Sequence, residues 1–501
     1  MAPRHAQASM KVLSSSIFLM GTTGLTALLS FLFWALVARL FSAERVGLAT
    51  SLISAIALIS YMSLSGLNST LIRFPAPSKA RNSQITWSFV VVCGAAVVLA
   101  SGYLLGLPWY GQRLVFIRDS PWLGGMFVAF CACAALNVLT DSVFIGARIP
   151  HYNLIVDGII QGVSKLILPI FLVGLGAVGI VGAMGGGYLV AVIASVALMA
   201  WRLGYRPDLK SRGTGLRKYA RFSVASYISA LLNLLPTLIL PLIVLQKLGA
   251  TEAGYYYIAF QIAGLLTAAC GGVGEAMFAE ASHDLSKIGE VLKRSAKLMT
   301  VISLPAAVIV ALGSGLLLSF FGAEYAANAR TLLIALSVGI VGVILNTWAS
   351  NALRVHRRLR AMVISNAVFL IVTVGFAFAF ASKGLVWLGW AWDLGNLASG
   401  IAAVIYVPWP RRAVAGAEPE RELDEADATV RVPEPVGAQA VPWMDDTSTI
   451  PMIFPWNRPA WSAKMNGAER EHYPTMQERP RTEPPADAWR AGRGGNEEFH
   501  W

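Results

Sequence analysis

The chain alternates long apolar stretches with short polar gaps, and twelve such stretches fill residues 12–410. A helix that crosses a bilayer needs about 20 mostly apolar residues, so each stretch predicts one transmembrane helix. The predicted class is therefore an all-α integral membrane protein. The predicted helices occupy 14–40, 46–68, 87–108, 122–146, 152–174, 177–201, 222–246, 253–279, 298–321, 328–350, 361–381 and 384–408.

Lysine and arginine are concentrated in every second gap between the predicted helices. One side of the predicted membrane carries 23 of them and the opposite side carries 7. Loops rich in Lys and Arg remain in the cytoplasm, so the N-terminus and the C-terminal tail are both expected there. The chain is therefore predicted to be a multi-pass protein of the cell (cytoplasmic) membrane with an even number of helices.

The composition supports a membrane setting and changes the meaning of the net charge. The chain is 56% hydrophobic and only 14% charged, whereas soluble domains average about 25% charged residues. Its net charge of +12 combines a basic membrane part with an acidic tail. The positive charge thus reflects loop topology and contact with anionic membrane lipids, and no nucleic-acid partner is expected.

The tail, residues 411–501, differs from the rest of the chain. It is rich in proline and charge, with six acidic residues between Glu418 and Asp427. Such a composition predicts disorder. Its five tryptophans leave two interpretations open, an undecorated tail or a docking segment for a cytoplasmic protein.

Residues that carry catalysis or bind metals are not grouped in this sequence. Four cysteines lie inside apolar stretches without disulfide or metal spacing, and six histidines are scattered in loops and termini. The predicted outward gaps are short and contain no acidic pair, which argues against a membrane-embedded glycosyltransferase or polymerase. No enzyme activity and no cofactor are expected, and coupling to a proton or sodium gradient is left open.

The two halves of the chain resemble each other. LVARLFSAERVG at 36–47 and IVLQKLGATEAG at 243–254 both end an apolar helix, turn, and start the next helix with a glycine. The offset between Gly47 and Gly254 is 207 residues. Parallel repeats of this kind are one transporter design, with the substrate site between the halves. The predicted organisation is a first six-helix bundle at 1–203, a cytoplasmic linker at 204–221, a second six-helix bundle at 222–410, and the tail.

Charged residues inside the predicted helices are the candidate site. They are Asp141, Asp157, Lys165, Glu275 and Asp393. A charge within a bilayer is costly and usually faces a cavity or a partner. Lys165 is expected to neutralise a diphosphate or a sugar acid, and the carboxylates are expected to bind a coupling cation or line the sugar path. The alternative is that all five form interhelical pairs that orient the bundle.

Two helix-forming sequences carry a family resemblance. ERVGLATSLISAIALISYMSLSGLNSTLIRF, Glu44 to Phe74, resembles the start of Wzx-type oligosaccharide flippases, and so does TEAGYYYIAFQIAGLLTAACGGVGEAMFAEAS, Thr251 to Ser282. These flippases belong to the multidrug/oligosaccharidyl-lipid/polysaccharide (MOP) superfamily. The resemblance implies two helical bundles and a cavity through which a lipid-linked sugar crosses the membrane.

The resemblance implies a more specific function than the residue pattern does. It implies flipping of a polyprenyl-diphosphate-linked oligosaccharide to the outer leaflet for cell-surface polysaccharide biosynthesis. Some flippases hold the pyrophosphate with arginines inside the first two helices. Here that role would move to Arg73 and Lys165. The alternative is a cation-coupled exporter of small molecules from the same superfamily.

Overall fold

The computed structural model describes residues 28–210, 216–283 and 288–407, and within these ranges the chain is helical with no β-strand. Three short 3-10 turns, Gln112–Leu114, Val173–Leu175 and Ala381–Lys383, connect some of the helices. The helices are α1 (Leu28–Leu40), α2 (Ala43–Leu64), α3 (Leu67–Arg73), α4 (Ser78–Tyr110), α5 (Val115–Asp119), α6 (Pro121–Gly146), α7 (His151–Phe171), α8 (Ala177–Leu203), α9 (Leu216–Lys247), α10 (Ala250–His283), α11 (Ile288–Leu312), α12 (Ser314–Ser319), α13 (Ala323–Asn328), α14 (Arg330–Val338), α15 (Ile340–Val355), α16 (Leu359–Phe380) and α17 (Val386–Tyr406).

Nine of the described helices are long and apolar enough to cross a membrane, and a tenth span is formed by α14 and α15 together. Each of the twelve predicted stretches overlaps a helix, and three of them extend over two: 46–68 over α2 and α3, 298–321 over α11 and α12, and 328–350 over α14 and α15. The first part of the predicted helix 14–40 lies outside the described residues, as does the tail with its predicted disorder. The prediction of an all-α integral membrane protein is confirmed.

Two of the spans are interrupted. The axes of α14 and α15 differ by 42°, with the break at Gly339. Helix α2 ends at Leu64, and α3 begins at Leu67. The two residues between them, Ser65 and Gly66, are in the left-handed region with φ of 46° and 82°. Broken helices in a membrane expose backbone groups and are tolerated where they are buried in protein or line a cavity.

The helices α2 and α10 bring the two halves of the sequence together. Both helices begin at the same end of the molecule, because Gly47 on α2 lies against Ala250 and Gly254 on α10. We call this the Gly47 end. The largest cluster of buried apolar side chains lies around this contact and includes Val46, Tyr256 and Leu332. The boundaries predicted for the two bundles remain a prediction.

The start of the predicted linker 204–221 is attached to the first half, whereas its last residues, from Leu216 on, belong to α9. The Tyr205 and Thr86 hydroxyls are 3.0 Å apart, and the backbone amide of Asp208 donates to the Thr86 hydroxyl at 3.1 Å. Residues 211–215 lie outside the described ranges.

The three consecutive tyrosines, Tyr255, Tyr256 and Tyr257, do not form an aromatic belt at the membrane surface. Such a belt would leave them accessible, but Tyr255 is 4% exposed and Tyr256 is fully buried. Tyr257 packs on Trp34 with ring centroids 4.6 Å apart. They belong to the protein interior because α10 is covered here by α2 and by α1.

Candidate functional site

A chain of polar side chains connects α6, α7 and α8 in the first half. Asn137 donates to the Asp157 carboxylate at 2.8 Å. The Gln161 amide nitrogen donates to the side-chain oxygen of Asn137 and also approaches Asp157 at 3.4 Å. The Lys165 ammonium donates to the Gln161 carbonyl oxygen at 2.5 Å. Asp157 and Lys165 are eight residues apart on α7 and are thus connected through Gln161.

An irregular stretch of α7 carries two of these side chains. Residues Leu154–Gln161 form a π-helix, which then returns to a regular α-helix at Gly162. A π-helical turn is rare and often found at functional sites. Asp157 and Gln161 are four residues apart within it and lie on one face, 3.4 Å from each other. Lys165 follows four residues later, where the α-helical period keeps it on the same face.

No carboxylate of the described residues forms an ion pair with Lys165. Its ammonium lies 4.5 Å from the centroid of the Tyr188 ring on α8 and binds the neutral amide of Gln161. Gly187 makes room for the side chain, because a Cβ there would lie 2.7 Å from the Lys165 Cγ. A cation over an aromatic ring is stabilised by the ring's electrons. The positive charge therefore remains available to an anion.

The carboxyl groups of Asp141 and Asp157 face each other across α6 and α7. One oxygen of Asp141 is buried and makes no hydrogen bond with any described group. Two carboxylates so close repel each other unless they share a proton or bind a cation. The pair, together with Lys165, thus offers a site for positive charge next to a site for negative charge.

Glu275 lies in a different cluster in the second half. Its Oε1 accepts a hydrogen bond from the Nη1 of Arg354 on α15 at 3.1 Å. The small residues around Glu275 allow α10 and α15 to approach each other closely, since a Cβ on Gly274 would lie 2.3 Å from the Asn351 amide nitrogen. Arg354 was expected in a loop beyond the helix 328–350. The structure extends the helix to Val355 and places Arg354 on its last turn.

Asp393 occupies a third position, at the break between α14 and α15. The residue is 6% exposed, and neither carboxylate oxygen makes a hydrogen bond with a described group. Gly339, at the break, leaves room for this carboxylate, because a Cβ at that position would lie 1.7 Å from Oδ1 of Asp393. The hydroxyl of the buried Tyr256 also has no partner among the described side chains. A buried carboxylate in this state costs free energy unless it is protonated or binds a cation.

Arg73 is the last residue of α3, and its guanidinium lies 6.0 Å from the centroid of the Phe74 ring. The loop that follows is held by Gln84, which bonds the Phe74 carbonyl at 2.9 Å and the Ala76 amide at 2.8 Å. The described contacts therefore bring three of the six predicted residues into one network. Glu275, Asp393 and Arg73 occupy other positions.

Four residues of these clusters were not predicted: Asn137, Gln161, Tyr188 and Arg354. Gln161 had a signal, because it lies four residues from both Asp157 and Lys165. No comparable signal in the sequence marks Asn137 on α6 or Tyr188 on α8, because their role depends on how three helices pack.

Known proteins resemble the chain in part of its sequence and in its fold. Residues 153–330 match a family described as polysaccharide biosynthesis protein. No curated protein sequence matches the chain. A structure of the lipid II flippase MurJ, inward closed conformation, covers 78% of this chain and 87% of its own, at TM-score 0.64 and 11% identity.

Two further solved structures share the fold. The inward-facing conformation of a multidrug resistance MATE family transporter of the MOP superfamily covers 76% of this chain and 93% of its own, at TM-score 0.57 and 18% identity. A MOP superfamily transporter from Pyrococcus furiosus covers 79% and 94%, at TM-score 0.50 and 16% identity. The chain therefore shares its fold with these transporters, and its residues 153–330 resemble the polysaccharide biosynthesis family.

Proposed function

We propose that this protein translocates a polyprenyl-diphosphate-linked oligosaccharide from the cytoplasmic to the outer leaflet of the cell membrane, for cell-surface polysaccharide biosynthesis. The observation that carries the proposal is Lys165, a cation within a transmembrane helix whose direct partners are a neutral amide and an aromatic ring. The family match supports it, because the matched residues 153–330 contain Lys165 and Asp157.

Lys165 would attract the diphosphate, because a cation in a poorly solvated site interacts strongly with a negative group. Tyr188 would keep the ammonium in place while no substrate is bound. The neighbouring pair of Asp141 and Asp157 would bind a proton or a sodium ion, and this would couple transport to a gradient. The protein would act by changing conformation, without making or breaking covalent bonds.

A cation-coupled exporter of small molecules is the second candidate. The observation that favours it is Asp393, whose buried carboxylate lacks a partner among the described residues and suits a cationic ligand. The solved structures with this fold include a transporter named for multidrug resistance. The two candidates differ in the charge of the cargo.

One experiment on the purified full chain in liposomes separates these candidates. A fluorescent polyprenyl-diphosphate sugar is placed in the membrane, and its exposure in each leaflet is followed by quenching with a membrane-impermeant reductant. Uptake of a small cationic dye is measured in the same preparation. Flipping without dye uptake is expected. Dye uptake with no acceleration of lipid movement would replace the flippase by the exporter.

A further inference from the structure

The ion pair between Glu275 and Arg354 lies far from the Gly47 end. Glu275 is 21 residues beyond Gly254 on α10, which is about 32 Å along the helix at about 1.5 Å per residue. The charge pattern predicts that this opposite end faces the cytoplasm. In the proposed function, this is the side from which the substrate enters.

The ion pair is incomplete. Arg354 uses one nitrogen, Nη1, to reach one oxygen of Glu275 at 3.1 Å. The other oxygen of Glu275 and the Nε of Arg354 are both buried and make no hydrogen bond with any described group. A guanidinium normally binds a carboxylate or a phosphate through two parallel hydrogen bonds. The donor capacity of Arg354 is therefore only partly used.

The guanidinium is held in position by other side chains. The Oδ1 of Asn351 accepts a hydrogen bond from Nη1 at 2.9 Å, and the Phe278 ring centroid lies 5.8 Å from Cζ. The Arg354 side chain is 19% exposed and that of Glu275 is 38% exposed. An oriented arginine with an accessible acidic partner can exchange that partner for another anion.

The surroundings of Arg354 favour an anion. Arg357, Arg358 and Arg360 follow within six residues. Arg358 donates to a backbone carbonyl, that of Tyr406, at 3.3 Å. In the described ranges, the acidic groups that make ion pairs are Glu275 and Glu280, and Glu280 pairs with Arg294. Positive charge thus exceeds negative charge at this end of α15.

We propose that Arg354 binds the diphosphate of the substrate as it enters, and that Glu275 occupies the guanidinium while no substrate is bound. A diphosphate carries several oxygens that match the fork of an arginine better than the single oxygen supplied by Glu275. Its arrival displaces the carboxylate. The inference rests on the proposed function, since it takes a prenyl diphosphate as the ligand.

Binding to variants of the purified full chain tests the displacement. The probe is geranylgeranyl diphosphate, with geranylgeraniol as the same lipid without the diphosphate, and affinity is measured by calorimetry. Glu275→Gln removes the competing anion and is expected to tighten binding of the diphosphate about fivefold. Arg354→Gln is expected to weaken it at least about tenfold. Neither variant changes binding of the alcohol.

The neighbouring pair supplies matched controls. Glu280→Gln and Arg294→Gln change the same charges in an exposed pair, with side chains 57% and 77% exposed and a separation of 3.7 Å. Both are expected to leave affinity unchanged. If Arg354→Gln does not accumulate in the membrane, Arg354→Lys keeps the charge, loses the fork, and is expected to bind with intermediate affinity.

A purely structural ion pair gives a different result. Glu275→Gln and Arg354→Lys would then both lower the melting temperature and leave the affinity for the diphosphate unchanged, which would overturn the inference. Flipping of the lipid-linked sugar by the native chain would still stand in that case. Conversely, opposite affinity changes in a chain that flips nothing would sustain the binding site and reject the proposed function.

Discussion

Gly47 on α2 and Gly254 on α10 pack backbone against backbone, each beside the start of the other's helix. A Cβ on Gly47 would lie 1.7 Å from the Ala250 carbonyl oxygen, and a Cβ on Gly254 would lie 2.2 Å from the Ala43 carbonyl oxygen. These are the two glycines separated by 207 residues in the internal repeat. The contact is reciprocal, and it brings the first and second halves together at the Gly47 end.

Replacing either glycine by alanine is expected to destabilise the protein. The new methyl group meets backbone, which cannot rotate away, so α2 and α10 must separate. Overpacking of this kind costs about 1–3 kcal/mol. Thermal unfolding in detergent measures it. Gly264→Ala on α10 is the control, because a Cβ there meets nothing within 4 Å. Equal stability of Gly47→Ala and Gly264→Ala would contradict the close contact.

Gln161 is expected to matter for transport as much as the charges it connects. Gln161→Leu removes the bridge between Asp157 and Lys165 while it keeps the side-chain volume roughly unchanged. The losses in flipping rate caused by Gln161→Leu and Lys165→Ala should not add in the double variant, with a coupling of about 0.5–3 kcal/mol. Ser164→Ala is the control, since its hydroxyl bonds the Ile160 carbonyl of its own helix. Additive losses would show that the two residues act independently.

Asp393 is expected to reduce stability. Asp393→Asn replaces a buried carboxylate by an amide of similar shape, so the chain no longer has to bury an ionisable group. We expect a higher melting temperature at neutral pH, measured by thermal unfolding in detergent. Asp119→Asn, at an exposed position, serves as the control and should leave the melting temperature unchanged. A lower melting temperature for Asp393→Asn would contradict the prediction and assign the Asp393 carboxylate a stabilising role.

The sequence predicted the membrane class and the helices, because apolar length and basic loops are read directly from the order of residues. The repeat predicted two corresponding helix starts, and the contact between Gly47 and Gly254 became visible only in the structure. The polar clusters were predicted only in part. Asp157 and Lys165 are recognisable as charges in a helix, but their connection runs through two uncharged residues, Gln161 and Asn137, the second of which lies on a different helix.

Other features depend on packing that no single stretch contains. Arg354 looked like a loop residue because the apolar stretch ends before it, yet α15 continues and Glu275 on α10 receives it. Tyr256 lies near the start of a membrane helix, where aromatic residues often face the interface. It is buried because α2 covers the start of α10. In both cases a second helix determined the environment.

Lys165 is proposed to attract the diphosphate of a lipid-linked sugar during its translocation. The most direct measurement is the initial rate at which a fluorescent polyprenyl-diphosphate sugar changes leaflet in liposomes that contain the Lys165→Gln variant. Its rate is compared with that of the native chain and of liposomes without protein, at equal protein incorporation. We expect that the native chain accelerates this movement and that the Lys165→Gln variant lowers the rate at least about tenfold. Such a change is equivalent to about 1.4 kcal/mol of activation free energy. A variant as fast as the native chain, or a native chain no faster than empty liposomes, would contradict it.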